Sequence, residues 1–197
     1  MNQRQITELL LQALETELGG VTIYENALRC ALNEDLKKEW TKYLEQTQNH
    51  VEIVKRVFEA LGLDSSQETP GRLAVRHIGQ SLVQVMKATL DAGGPEAAEL
   101  VATECVVEAE TKDHLNWELI SELSKALKGA PGKTLKDAYQ EVEEQEDEHL
   151  YHTTGWCREL WIEALGMPAV LPPPEEEKEV KTAIGAARAK MGRREML

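Results

Sequence analysis

Five residues of this chain carry the chemistry most open to interpretation: Glu17, His50, Glu110, Glu146 and His149. Each falls on an apolar stripe when the chain is wound at about 100° per residue. Glu17 sits centrally among Ile6, Leu10, Ala13, Leu14, Val21, Tyr24, Leu28 and Ala31. His50 is central to Leu36, Tyr43, Val54, Val57 and Leu61. Glu110 and Asp113 share a stripe with Ala102, Val106, Trp117 and Ile120, with His114 at its edge. His149 is central to Leu135, Ala138, Val142, Trp156 and Leu160, flanked by Glu146 on one side and by Gln145 and His152 on the other. An isolated carboxylate on a buried face is very costly, so each needs a hydrogen-bonding partner, a counter-charge or a metal ion. Single cases are ordinary; four segments each placing such a group at mid-length are less so.

The elements that must hold these residues are helices. Between a few Gly and Pro positions, apolar residues recur at intervals of three and four. The spacing predicts long helices over 6–32, 36–61, 96–127 and 134–165, with a shorter one over 73–90 inserted between the second and third. Gly19-Gly20 marks either a kink or close packing in the first. Four helices of about 25–30 residues are each about 40 Å long and can bury their apolar faces as a bundle. Two local patterns relate the halves. Gln46-Thr47-x-x-His50 parallels Gln145-Glu146-x-x-His149, and Glu17 and Glu110 each precede an inward aromatic, Tyr24 or Trp117, by the same interval.

Composition narrows the function. The 197 residues carry 22 Lys and Arg against 35 Asp and Glu, a formal charge of −13. That balance argues against a general nucleic-acid binder, which needs a basic face for phosphates. No apolar run is long enough to span a membrane, and the first residues lack the apolar core of a signal peptide. The cysteines Cys30, Cys105 and Cys157 form no CxxC pair and read as small buried fillers in a reduced, cytoplasmic setting. Glu141, Glu143, Glu144, Asp147 and Glu148 read as a solvated face and His77 as a surface residue, while Trp40, Trp117, Trp156 and Trp161 read as packing. His152 fits a supporting role beside the site and a core histidine with a backbone partner equally well.

The constellation resembles the ferritin-like di-metal carboxylate superfamily, in which two helices give one Glu each and two give Glu-x-x-His. Over about residues 6–166, Glu17, Glu110, Glu146, His149 and His50 match that pattern. Residues at i and i+3 share a helix face, so a carboxylate oxygen and an imidazole nitrogen reach one ion together. The segment 44–62 and the extra helix are also similar to the YciF-type stress-response branch, and Glu146-x-x-His149 to rubrerythrin-like proteins. The resemblance implies an all-α, ferritin-like four-helix bundle over 1–167. It also implies two iron ions, or manganese, with zinc as a substitute, and oxidation of Fe(II) by dioxygen or peroxide. Tyr24 would be a hydrogen-bond or one-electron donor in catalysis. The sequence departs from the pattern at Thr47, where the second motif has Glu; Gln46, Asp113 or His114 are the residues able to compensate.

A second reading is a non-catalytic bundle in which the same residues form a hydrogen-bonded network that fixes helix register. Beyond Pro168, Pro172-Pro173-Pro174 is expected to hold a charged tail extended. Its basic end (Arg188, Lys190, Arg193, Arg194) should seek an acidic helix face, on its own bundle or on the partner in a homodimer.

Overall fold

A computed structural model describes residues 2–178 and 180–197. The described residues form helices and connecting turns, with no strand. The order is α1 (Gln3–Cys30), α2 (Glu34–Leu61), α3 (Pro70–Asp91), α4 (Pro95–Ala126) and α5 (Ala130–Ala164), then two short tail helices, α6 (Pro174–Glu177) and α7 (Ala183–Gly192). Local chemistry sets the boundaries. Asn33 caps α2 by accepting from the backbone N–H groups of Asp35 and Leu36, and Thr69 caps α3 ahead of Pro70. Gly62 ends α2 in the left-handed region, φ 64°. The tight α1–α2 turn is pinned from α4, where Glu99 Oε1 accepts from the N–H groups of Leu32 and Asn33, both at 2.7 Å.

α1, α2, α4 and α5 pack as a bundle, and α3 lies against α1 and α4. Gly19-Gly20 does not kink α1, which runs unbroken. A Cβ on Gly20 would stand 3.1 Å from Thr47 Cγ2, so this glycine serves a close approach of α1 to α2. Two apolar layers fill the bundle. One contains Ile23, Tyr24, Trp40, Tyr43, Val106 and Trp156; the other contains Leu10, Leu14, Val54, Phe58, Trp117 and Val142. The polar stripe residues lie between them. No helix among the described residues is long and apolar enough to cross a membrane.

The tail departs from the extended spacer expected of it. It folds back on its own bundle, burying Pro174, Glu175, Val180 and Ala189. Arg158 of α5 holds Glu175 through both terminal guanidinium nitrogens, at 2.7 and 2.8 Å, and Arg193 meets Glu159 at 3.0 Å. The three prolines make a turn that delivers acidic residues to α5, and only part of the basic end is used. Ile184 and Met191 of α7 are exposed.

Candidate metal centre

The bundle brings Glu17 from α1, His50 from α2, Glu110 from α4 and Glu146 and His149 from α5 to one place, each at most 3% exposed. Ligand atoms of Glu17, His50 and Glu146 lie within 4.8 Å of one another, and so do those of Glu110, Glu146 and His149. Glu146 belongs to both triads and stands between the histidines. His50 Nδ1 is 2.9 Å from Glu146 Oε1 and 3.7 Å from Glu17 Oε2; His149 Nδ1 is 3.6 Å from Glu110 Oε2. The two imidazoles stack, with centroids 5.7 Å apart.

Cross-helix partners orient both rings. His50 Nε2 is 2.9 Å from Gln145 Oε1, and His149 Nε2 is 2.9 Å from Gln46 Oε1. A carbonyl oxygen only accepts, so each Nε2 carries the hydrogen and the neutral ring turns a bare Nδ1 inward. The repeat of Gln four residues before His thus serves the opposite helix. Gln46 is spent on His149 and is not a ligand. Trp117 Nε1 donates to Glu17 Oε1 at 2.7 Å, leaving Oε2 turned inward.

Several buried atoms here have no hydrogen-bond partner: Glu17 Oε2, His50 Nδ1, Glu110 Oε2, Asp113 Oδ1, both Glu146 oxygens, His149 Nδ1 and the Tyr24 hydroxyl. The 2.9 Å approach of His50 Nδ1 to Glu146 Oε1 is an ion pair only when the ring is protonated. Elsewhere in the described residues only Trp40 Nε1 and Thr153 Oγ1 share this lack of a hydrogen-bond partner. Buried polar atoms are almost always satisfied in native proteins. A cluster of unsatisfied acceptors facing one another is what a cation would complete.

Electrostatics agree. Burial alone would lower the His50 imidazole, but the charge of Glu17 and hydrogen bonding of the protonated ring to Glu146 and Glu17 lift it to about 11, so without a metal ion Nδ1 holds a proton that a bound ion would displace. Burial, then the charges of Glu17, Glu146 and Glu110, hold the Asp113 carboxyl well above the usual range. Burial likewise raises Glu146 against the pull of His50. Four carboxylates (Glu17, Glu110, Asp113, Glu146) meet here, and two divalent ions would balance their charge.

Asp113 stands beside Glu17, on the half where Thr47, itself buried, supplies no carboxylate. His114 does not join them: its Nε2 pairs with Asp147 at 2.8 Å on the outer side of α5. Tyr24 is fully buried and edge-on to His149, centroids 6.1 Å apart; burial and the Glu110 charge push its hydroxyl well above the ordinary range. Glu15 and Glu39 are among the enclosed carboxylates that lie off the central stripes. Glu15 faces away from the centre, as its spacing indicates, but is buried under α3 and paired with Arg72 and Arg76 at 2.7 and 2.6 Å. Glu39 bonds Tyr43 of its own helix and His152 and Trp156 of α5, and the two cross-helix partners cannot be read from its segment. Comparison with family models, curated proteins and solved structures finds no match for this chain.

Proposed function

We propose that this chain is a di-metal protein of the ferritin-like class. In this reading it holds two iron or manganese ions on Glu17, His50, Glu110, Asp113, Glu146 and His149, and it oxidises Fe(II) or reduces dioxygen or peroxide. The observation that carries the reading is the set of buried ligand atoms without partners. They fit the group: each half offers one imidazole nitrogen, one terminal Glu and a share of Glu146, an N/O donor set suited to iron or manganese, with zinc able to substitute. A register-fixing network is disfavoured by the same atoms, since such a network needs them bonded to one another.

Bound iron or manganese would supply one-electron redox steps and Lewis acidity. The chain's own residues prepare the site. Gln46 and Gln145 fix the imidazole tautomers, so binding need not reorient either ring. Trp117 holds one oxygen of Glu17 and leaves the other free to shift as charge changes. Tyr24, fully buried and edge-on to His149, would serve as a hydrogen-bond or one-electron donor beside the site. The apolar layers on either side keep bulk water out and strengthen every charge interaction between them.

Metal analysis of protein produced with added iron tests the proposal. Stoichiometric iron or manganese, lost in Glu146→Gln together with Fe(II) oxidation or peroxide consumption, is the expected result. Protein that takes up neither metal would end this reading.

A further inference from the structure

A third buried histidine repeats the geometry of the centre at a different place. His152 on α5 points Nδ1 at two carboxylates, 2.9 Å from Glu39 Oε1 and 3.2 Å from Glu176 Oε1. Its Nε2 is 2.8 Å from the backbone carbonyl oxygen of Val180. That carbonyl can only accept, so Nε2 carries the hydrogen. In the neutral ring, Nδ1 then turns a lone pair toward two anionic oxygens, and the Tyr43 hydroxyl, which donates to Glu39, is the third group within reach at 3.1 Å. Nδ1 and the two carboxylate oxygens repel one another unless a cation, a proton or a metal ion, lies among them. A metal-ligating histidine commonly spends its second nitrogen on a carbonyl in this way.

One proton does not balance the cluster. With both ionised, Glu39 and Glu176 bring two negative charges and a protonated His152 returns one; Glu176, pushed up to about 7 by burial and by Glu39, must then take a second proton or share a divalent ion. The other donors are neutral: Trp156 Nε1–H reaches Glu39 Oε2 at 2.6 Å and Glu176 Oε1 at 3.2 Å, and the Tyr43 hydroxyl donates to Glu39. Of the three lysines that line the groove, Lys42 pairs with Glu148 at 2.6 Å and Lys181 with Glu144 at 2.9 Å, and Lys38 is the third. A divalent ion on a neutral imidazole balances both carboxylates. The cluster lines a polar groove of about 640 Å³ through which a hydrated ion can arrive.

We propose that Glu39, His152 and Glu176 form a further divalent-cation site, distinct from the central cluster, which takes a first-row ion such as zinc or manganese and fastens the C-terminal tail to the bundle. One nitrogen and two carboxylate donors suit these ions better than magnesium or calcium. The three ligands come from α2, α5 and α6, so the ion cross-links elements far apart in the chain, and the site exists only with the tail docked. It stands independently of the function proposed for the centre.

The test uses the full-length chain, stripped with chelator and dialysed against Zn(II), with bound zinc counted by elemental analysis. Wild type, Glu176→Gln and Glu146→Gln are compared. Glu176→Gln is expected to bind one ion fewer than the wild type, and Glu146→Gln to keep the ion that Glu176→Gln loses. Equal zinc in the wild type and Glu176→Gln overturns the proposal and leaves a proton-filled latch. Failure of the central reading looks different: the wild type then binds a single ion, lost in Glu176→Gln and kept in Glu146→Gln. Tail proteolysis gives a second readout. Zn(II) added to Glu146→Gln should slow cleavage within 168–182 by at least about fivefold, through linkage of binding to docking, and Glu176→Gln should abolish the effect. Cleavage indifferent to Zn(II) would overturn the proposal.

Discussion

Glu15 and Glu17 lie two positions apart on one helix, both buried, in opposite chemical situations. Glu15 faces α3, where Arg72 and Arg76 meet it with three hydrogen bonds of 2.6–2.9 Å, and Arg76 also holds Glu68. Burial would raise its carboxyl, but those two arginines pull it below the ordinary value. Glu17 faces the centre, where the nearest charged groups beyond His50 are further carboxylates and one of its oxygens has no partner. A buried charge whose counter-charge is supplied by the chain fastens helices together. One whose counter-charge is missing points to something the chain must acquire. The difference separates architecture from function more cleanly than burial does, because both residues are buried.

The largest expected effect lies at the centre. Glu146→Gln removes the carboxylate common to both triads, so affinity for both ions should fall by more than the roughly 10–100-fold cost of losing an outer hydrogen-bond partner. Metal-free Glu146→Gln should be at least as stable as the metal-free wild type, since a neutral isostere replaces a buried, unbonded carboxyl. Metal titration and thermal melts of the stripped proteins check the two halves of this statement.

Glu15→Ala should invert that pattern. Two arginines lose their partner, and stability should drop by about 2–3 kcal/mol, less than for a wholly buried pair because Arg76 reaches solvent. That corresponds to a melting temperature lower by roughly 5–10 °C, with metal content unchanged. The pH dependence follows from the lowered carboxyl. Its contribution is present above the unfolded value, about 4.3, and is lost as pH falls through the folded one. The wild type should therefore lose this increment in acid while Glu15→Ala, having none, shows a flatter profile below about pH 5. Loss of metal in Glu15→Ala would erase the distinction between the two glutamates.

Much of this contrast is legible in the sequence. The inward placement of Glu17, His50, Glu110, Glu146 and His149 follows from helical periodicity, because a stripe of apolar neighbours fixes which way a side chain points. What periodicity cannot give is the identity of a partner on another helix. Gln46 and Gln145 were visible as a repeat, yet each serves the histidine of the opposite helix, a pairing that exists only once α2 and α5 pack. Glu15 lies opposite the central stripe of α1, and spacing alone does not show that α3 covers this second face. The spacing of Val180, Ile184, Ala187 and Met191 is helix-like, in the segment where α7 forms, but α6 has only four residues, too few for periodicity to detect, so the delivery of Glu175 and Glu176 to α5 is not legible. Helix ends were located to within about four residues, the scatter expected where caps rather than stripes decide.

The glutamines offer a smaller test of the same contrast. Gln145→Leu and Gln46→Leu leave every ligand in place and remove only the acceptor that fixes one tautomer. Each should weaken metal binding by roughly 10–100-fold, the first on the His50 half and the second on the His149 half. Equal loss on both halves from either variant would show that the rings are not oriented independently.

The smallest expected effect concerns Thr47 and decides what replaces the missing carboxylate. Asp113 is buried beside Glu17 with one oxygen unpartnered, and it brings the central carboxylates to four, the number that two divalent ions neutralise. Asp113→Asn should weaken the Glu17–His50 half by about tenfold, or 1.4 kcal/mol. Thr47→Glu alone places a fifth carboxylate at i−3 to His50. It therefore adds a ligand and a surplus charge together, and should change affinity little. In the double variant Thr47→Glu/Asp113→Asn the count returns to four, with the new carboxylate where a Glu-x-x-His pair would have it, and affinity should recover to within about threefold of the wild type. The sign of the coupling is what matters: the two substitutions should be better together than the sum of their separate effects, as expected when one group stands in for the other. Strict additivity in that cycle would mean that Asp113 and position 47 do not serve the same ion. The charge balance at the centre would then have to be met by protons on its carboxyls.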